Sequence, residues 1–85
     1  MNPFHVEWDR SAELELARIW LRSSDPNSIT AATARADQLL ARDPIGNGRH
    51  ISEGLYQLRV PPLVLSYSVD TARRIVEVSS VWSRV

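Results

Sequence analysis

Arginine dominates the residues that could do chemistry in this sequence. All ten basic side chains are arginine, set against ten acidic ones, with two histidines and no cysteine. A guanidinium is a planar fork that grips phosphate or carboxylate through paired hydrogen bonds, so anion binding is what these side chains offer. Without lysine there is no Schiff base, P-loop lysine or lysine general base. Without cysteine there is no disulfide and no thiolate metal site, and no cofactor or metal is expected. A net charge of zero argues against wholesale attraction to nucleic acid or membranes. Any basic site must therefore be local. Two stretches supply one: "PIGNGRHIS" presents Arg49 and His50, and "LYQLRVPPLVLSYSVDTARRIVEVSSVW" carries Arg59, Arg73 and Arg74.

The elements that position these groups follow from periodicity. In "FHVEW", Phe4, Val6 and Trp8 alternate with His5 and Glu7, the period-2 signature of a strand with one buried face. From Ser11 the period lengthens, and Ala12, Leu16, Ile19 and Trp20 draw a helical stripe. "SSDPNS" interrupts it, with Asp25 before Pro26 reading as a helix cap and Ser28 as the alternative cap. Ile29, Ala32, Ala36, Leu39 and Leu40 mark a second helix that "RDP" stops. "PIGNGRHIS" reads as a loop, because its proline and glycines suit turns and no apolar period survives. Tyr56, Leu58 and Val60, then Leu63, Leu65, Tyr67 and Val69, form a hairpin broken by "PP". After "DTAR", Val76, Val78, Ser80 and Trp82 alternate in a last strand.

This order, β-α-α-β-β-β, predicts one α+β domain over residues 1–85. Its two layers are a helical hairpin and a mainly antiparallel four-stranded sheet, one face of which the hairpin covers. Trp20, Leu39, Leu58, Leu65 and Val78 are expected in one core. Gln57, Arg59, Ser66, Ser68, Glu77 and Ser79 are expected on the open face, a polar platform rimmed by arginine. No window approaches the roughly 20 apolar residues of a membrane helix, and no signal segment begins the chain, so a soluble cytoplasmic protein is expected.

The element order, "W" followed by "A...LARIW", "A...ADQLLARDP.G" and "LRVPPLVLSYSVD...RIVEVSSVW" together resemble the RelE/ParE toxins of bacterial toxin-antitoxin modules. The likeness spans nearly the whole chain. It implies a toxin neutralised by a cognate antitoxin and acting either as a nuclease on messenger RNA in the ribosome or as an inhibitor of DNA gyrase. A family member that keeps only antitoxin binding is the third option, and an exposed strand edge would allow a homodimer.

In the nuclease group, the resemblance implies basic side chains at Gln57 and Arg59, an arginine near Val64, and an arginine and a tyrosine beyond the last strand. Arg59 alone matches, and the sequence ends in "SRV". Cleavage requires a base, a cation and an acid, for which His50, Arg59 and Arg84 are the available candidates. The expectation is therefore binding, as to gyrase, in preference to a complete nuclease site. Arg49, Arg59, Arg73, Arg74 and Trp82 are the candidates for contact with target or antitoxin. Competing roles exist for four of them: Arg59 can be a solvated edge charge or a partner to Glu77, Arg73 and Arg74 flank a turn and can pair with Asp70, and Trp82, like Trp8 and Trp20, coincides with an apolar stripe.

Overall fold

The structure, a computed structural model, describes residues 3–84. Met1, Asn2 and Val85 of the expected domain lie outside the described residues. Strand β1 (His5–Trp8) leads into helix α1 (Arg10–Arg22) and helix α2 (Pro26–Arg42), followed by β2 (Arg49–Ser52), β3 (Leu55–Val60), β4 (Leu63–Asp70) and β5 (Ile75–Ser83). The strands make one sheet in the order β1-β5-β4-β3-β2. β1 pairs parallel with β5, and all other pairings are antiparallel.

The sheet thus has five strands where the sequence predicts four. The added strand is β2, which occupies part of the expected loop and pairs Arg49 with Gln57 and His50 with Tyr56. All four of its residues are exposed. An edge strand with neither face buried has no apolar alternation to betray it.

Each helix starts where a side chain or a proline meets the orphan amides of its first turn. The Asp9 carboxylate accepts from the Ala12 amide at 2.9 Å. That bond, with the Ser11 hydroxyl, holds the carboxyl below its usual range. Pro26 opens α2 behind Asp25, whose carbonyl accepts from both the amide and the hydroxyl of Ser28. The helices bury Ala12, Ile19, Ile29, Ala32, Ala36 and Leu40 against Leu58, Val60, Leu63, Leu65, Tyr67, Val76, Val78 and Val81. Alanines at the helix–sheet contact let the two layers approach closely, so a thin core still excludes water. Leu39 packs against this core partly buried.

Two tryptophans depart from the expected stripes. Trp20 is 44 % exposed. Its position is turned about 100° from Ile19, toward the outer flank of α1, and its indole N–H donates there to the Thr30 hydroxyl at 3.2 Å. Among the leucines and valines under the sheet that N–H would find no acceptor. Trp82 is 40 % exposed because β5 changes phase. Leu65 pairs with Val81 and Ser66 with Ser80, yet Tyr67 pairs with Val78, so Ser79 is an extra residue. A bulge of this kind shifts alternation by one. Val81 therefore turns inward, and Trp82 joins the open face.

Leu65 is fully buried on the central strand. Leu65→Ala is expected to cost about 2 to 5 kcal/mol in urea unfolding, the range for a deep large-to-small change. A cost under about 0.5 kcal/mol would place the residue at the surface.

Candidate functional site

The pleat of the sheet sorts the candidate residues before any chemistry is considered. Paired residues share a face, so Arg49, Gln57, Ser66 and Ser80 lie together across β2, β3, β4 and β5. One step along, Arg59, Val64 and Trp82 form a second row on that same face. Val64 is buried beneath its neighbours while Arg59 is exposed. An apolar floor flanked by a cation and an indole is the local pattern.

Arg59 lines two clefts. One, of about 260 Å³, is shared with Asn47, Gly48, Arg49 and Gln57. The other, of about 210 Å³, is shared with Pro61, Pro62, Val64 and Arg84, and the Pro61–Pro62 peptide is cis. Arg84 is brought here by its backbone, whose amide donates to the Pro62 carbonyl at 2.8 Å. Three of the predicted arginines, Arg49, Arg59 and Arg84, thus border one continuous strip with Trp82 alongside. Among the described residues, neither cleft has a histidine, tyrosine or carboxylate in its lining.

His50 stands elsewhere. It pairs with Tyr56, on the helix side of the sheet, and meets the Tyr56 ring edge-on at 5.3 Å between centroids. Tyr56 in turn stacks on Tyr67 at 5.8 Å. The structure therefore divides the trio named from sequence: Arg59 and Arg84 together, His50 across the sheet from them. Arg73 and Arg74 are also separated from Arg59. They occupy the β4–β5 turn, six residues along β4 from Val64, or about 20 Å at strand rise. The Arg73 amide donates to the Asp70 carboxylate at 3.0 Å. The Arg74 guanidinium covers the Phe4 ring at 4.3 Å, and its carbonyl accepts from the His5 amide at 2.8 Å, so Arg74 ties β1 to the turn.

The aromatic chain ends in a buried hydroxyl. Tyr67 donates to the Pro44 carbonyl at 2.6 Å. Gly48 lies so close that a Cβ there would overlap the phenol. Sequence reading missed this contact, although "PIGNG" beside a tyrosine in strand phase is the trace it leaves.

No family model and no curated protein matches the chain. Solved structures do. A chain of the RelBE2 toxin-antitoxin complex of Mycobacterium tuberculosis superposes with a TM-score of 0.82 at 23 % identity, over 99 % of this chain and 94 % of that one. The archaeal RelE–RelB complex of Pyrococcus horikoshii gives 0.70 at 13 % identity, covering 96 % of each chain. The chromosomal ParDE system of Pseudomonas aeruginosa gives 0.70 at 17 %, covering 94 % and 95 %. The chain has the RelE/ParE toxin fold. The RelE/ParE scaffold here carries a sheet of five strands, and no described helix is long and apolar enough to cross a membrane.

Burial, then the charge at Tyr56 and Asp43, pushes the Tyr67 phenol up to about 12 from an ordinary value of 10.0. A group whose folded pKa is raised contributes stability that is complete below the unfolded value and disappears as pH rises through the folded one. The wild-type chain is therefore expected to lose stability, on the order of 2 kcal/mol, between about pH 10 and 12. In Tyr67→Phe that part of the slope should vanish, as measured by urea unfolding at stepped pH. Equal slopes in both proteins would contradict the burial of the hydroxyl.

Proposed function

We propose that this chain is the toxin of a type II toxin-antitoxin module, held inactive by a cognate antitoxin, and that it acts by gripping a macromolecular target. DNA gyrase is the favoured target. The observation that carries the reading is the arginine face itself. It gathers Arg49, Arg59 and Arg84 around two clefts without a proton acceptor in either lining. Cations alone bind and orient an anionic partner, but strand scission also requires removal and delivery of protons. The one histidine near these strands, His50, is engaged with Tyr56 on the other face.

The antitoxin enters from the likeness to RelBE2, RelE–RelB and ParDE, which are toxin-antitoxin systems. Two surfaces suit a wrapping tail. An apolar groove of about 640 Å³ on the outside of the helical hairpin is lined by Leu16, Ala17, Trp20, Leu21 and Ile29, and an amphipathic helix would lay its apolar side there. An extended acidic segment would then pass along Arg49 and Arg59. Opposite charge speeds encounter, whereas buried apolar anchors set residence time.

A second reading is favoured by the row of Arg59, Val64 and Trp82, since an indole beside cations can also stack a base and hold a backbone. This is the ribosome-dependent nuclease. Expression of the chain alone under a tight promoter separates the readings, with growth, RNA integrity and plasmid supercoiling read together. Growth arrest with altered supercoiling and intact messenger RNA is the expected triple. Codon-specific cleavage by the purified protein, abolished in Arg59→Ala, would replace the first reading by the second. Normal growth would leave a member that only binds antitoxin.

For the antitoxin, Arg49→Glu with Arg59→Glu is expected to slow association at least tenfold and flatten its salt dependence, with dissociation changing less. An unchanged rate and salt slope in stopped-flow mixing, with circular dichroism intact, would remove these arginines from the docking surface.

A further inference from the structure

The connection from α2 to β2 is tied down at nearly every residue. The Asp43 amide donates to the Leu39 carbonyl and the Asn47 amide to the Asp43 carbonyl, each at 3.0 Å. The Asp43 carboxylate accepts from the Gly46 amide at 2.9 Å, and the Asn47 side chain donates to the Leu39 carbonyl at 3.0 Å. Pro44 is fully buried, with its carbonyl bound by Tyr67. By contrast β2, which follows immediately, is exposed at all four residues, has β3 as its sole strand neighbour among the described residues, and is irregular between His50 and Ser52. Burial does not hold it in place. Backbone pairing to β3 holds one edge; the other tie is the segment before it, and the first residue after that segment is Arg49.

Geometry concentrates this anchoring on one hydroxyl. The Tyr67 phenol reaches Pro44 across the space that Gly48 leaves open, so the Gly48 main chain rests against the phenol just ahead of Arg49. Tyr67 is itself fully buried on the central strand and stacked on Tyr56. We infer that Tyr67 is a positioning residue for the arginine face: its hydroxyl, latched to Pro44 over Gly48, sets where Arg49 stands beside Arg59 in their shared cleft. The inference rests on the reading that this face receives an acidic segment of the partner. It extends that reading by naming a side chain that acts through Arg49 without touching the partner.

Tyr67→Phe keeps the ring and its stacking while leaving the Pro44 carbonyl buried without a donor. Gly48→Ala approaches the same contact from the other side by placing a methyl against the phenol. Two NMR readouts on the isotopically labelled chain test the latch. In the first, amide exchange in β2 (Arg49–Ser52) is compared with that at Leu58 and Leu65. Loss of the latch should speed β2 about tenfold more than the central strands, as local opening does when only one segment is released. In the second, hexaglutamate is titrated against the guanidinium Nε–H signals of Arg49 and Arg59. In the wild type both should shift with one midpoint; in either variant Arg59 should still respond, Arg49 should respond weakly, and the midpoint should rise several-fold.

Exchange that rises equally in β2 and the central strands would make Tyr67 a packing residue and overturn the proposal. So would Arg49 and Arg59 continuing to titrate together in Tyr67→Phe. A wild-type chain unmoved by hexaglutamate would overturn the docking reading and, with it, the positioning role. The exchange pattern, which needs no ligand, distinguishes that failure from a failure of the latch.

Discussion

Strand β4 is hydrogen-bonded along both edges, to β3 on one side and β5 on the other, and its pleat decides which side of the sheet each functional group occupies. A strand paired on both sides cannot slip by one residue without exchanging its faces. The alternation is therefore rigid: Leu63, Leu65 and Tyr67 face the helices, while Val64, Ser66 and Ser68 face away. Everything that makes the arginine strip follows from that choice. Arg59 flanks Val64 because β3 pairs in register, and Trp82 flanks it because one extra residue in β5 shifts the phase after Ser79. The same pleat places His50 on the opposite side through its pairing with Tyr56.

A chain with no net charge can still present a cationic face if its acids are occupied elsewhere. Several are. Asp9 caps α1, Asp43 holds the Gly46 amide and Asp70 holds the Arg73 amide. Glu15 lies 3.4 Å from both Arg18 and Arg22 on the outer side of α1. Exposed pairs such as these add little stability. Their effect is on distribution, since they leave the Arg59 end of the sheet without a carboxylate in either cleft. Focusing by a local excess of one sign is enough to steer an acidic partner.

Much of this architecture is legible in the residues. The periods of α1, α2, β3 and β4, the stop at "RDP" and the turn at "DTAR" give the helical hairpin and the antiparallel strands, and the same alternation places Gln57, Arg59, Ser66, Ser68 and Glu77 on one face. Three features escape such reading. Strand β2 has no buried face, so "RHIS" carries no period and is held by backbone pairing to β3. The bulge at Ser79 is one residue in an otherwise regular alternation, and only the partner strand reveals it; without it Trp82 falls in the core and Val81 outside. Trp20 sits on the edge of a helical stripe, where an acceptor on the neighbouring helix, Thr30, decides its orientation. Each miss concerns a residue placed by a partner on another element.

The sheet separates His50 from Arg59 while placing Arg59 and Trp82 on either side of Val64, and leaves the arginine strip without a histidine, tyrosine or carboxylate among the described residues lining its clefts. A nuclear Overhauser spectrum of the labelled protein tests this directly, because cross-strand neighbours on one face lie about 5 Å apart and groups on opposite faces do not meet. Contacts from the Trp82 indole to Val64, from Val64 to the Arg59 methylenes, and from the His50 ring to Tyr56 are the expected set. Contacts from the His50 ring to Arg59, or from the Trp82 indole to Ile19 in the core, would contradict the account.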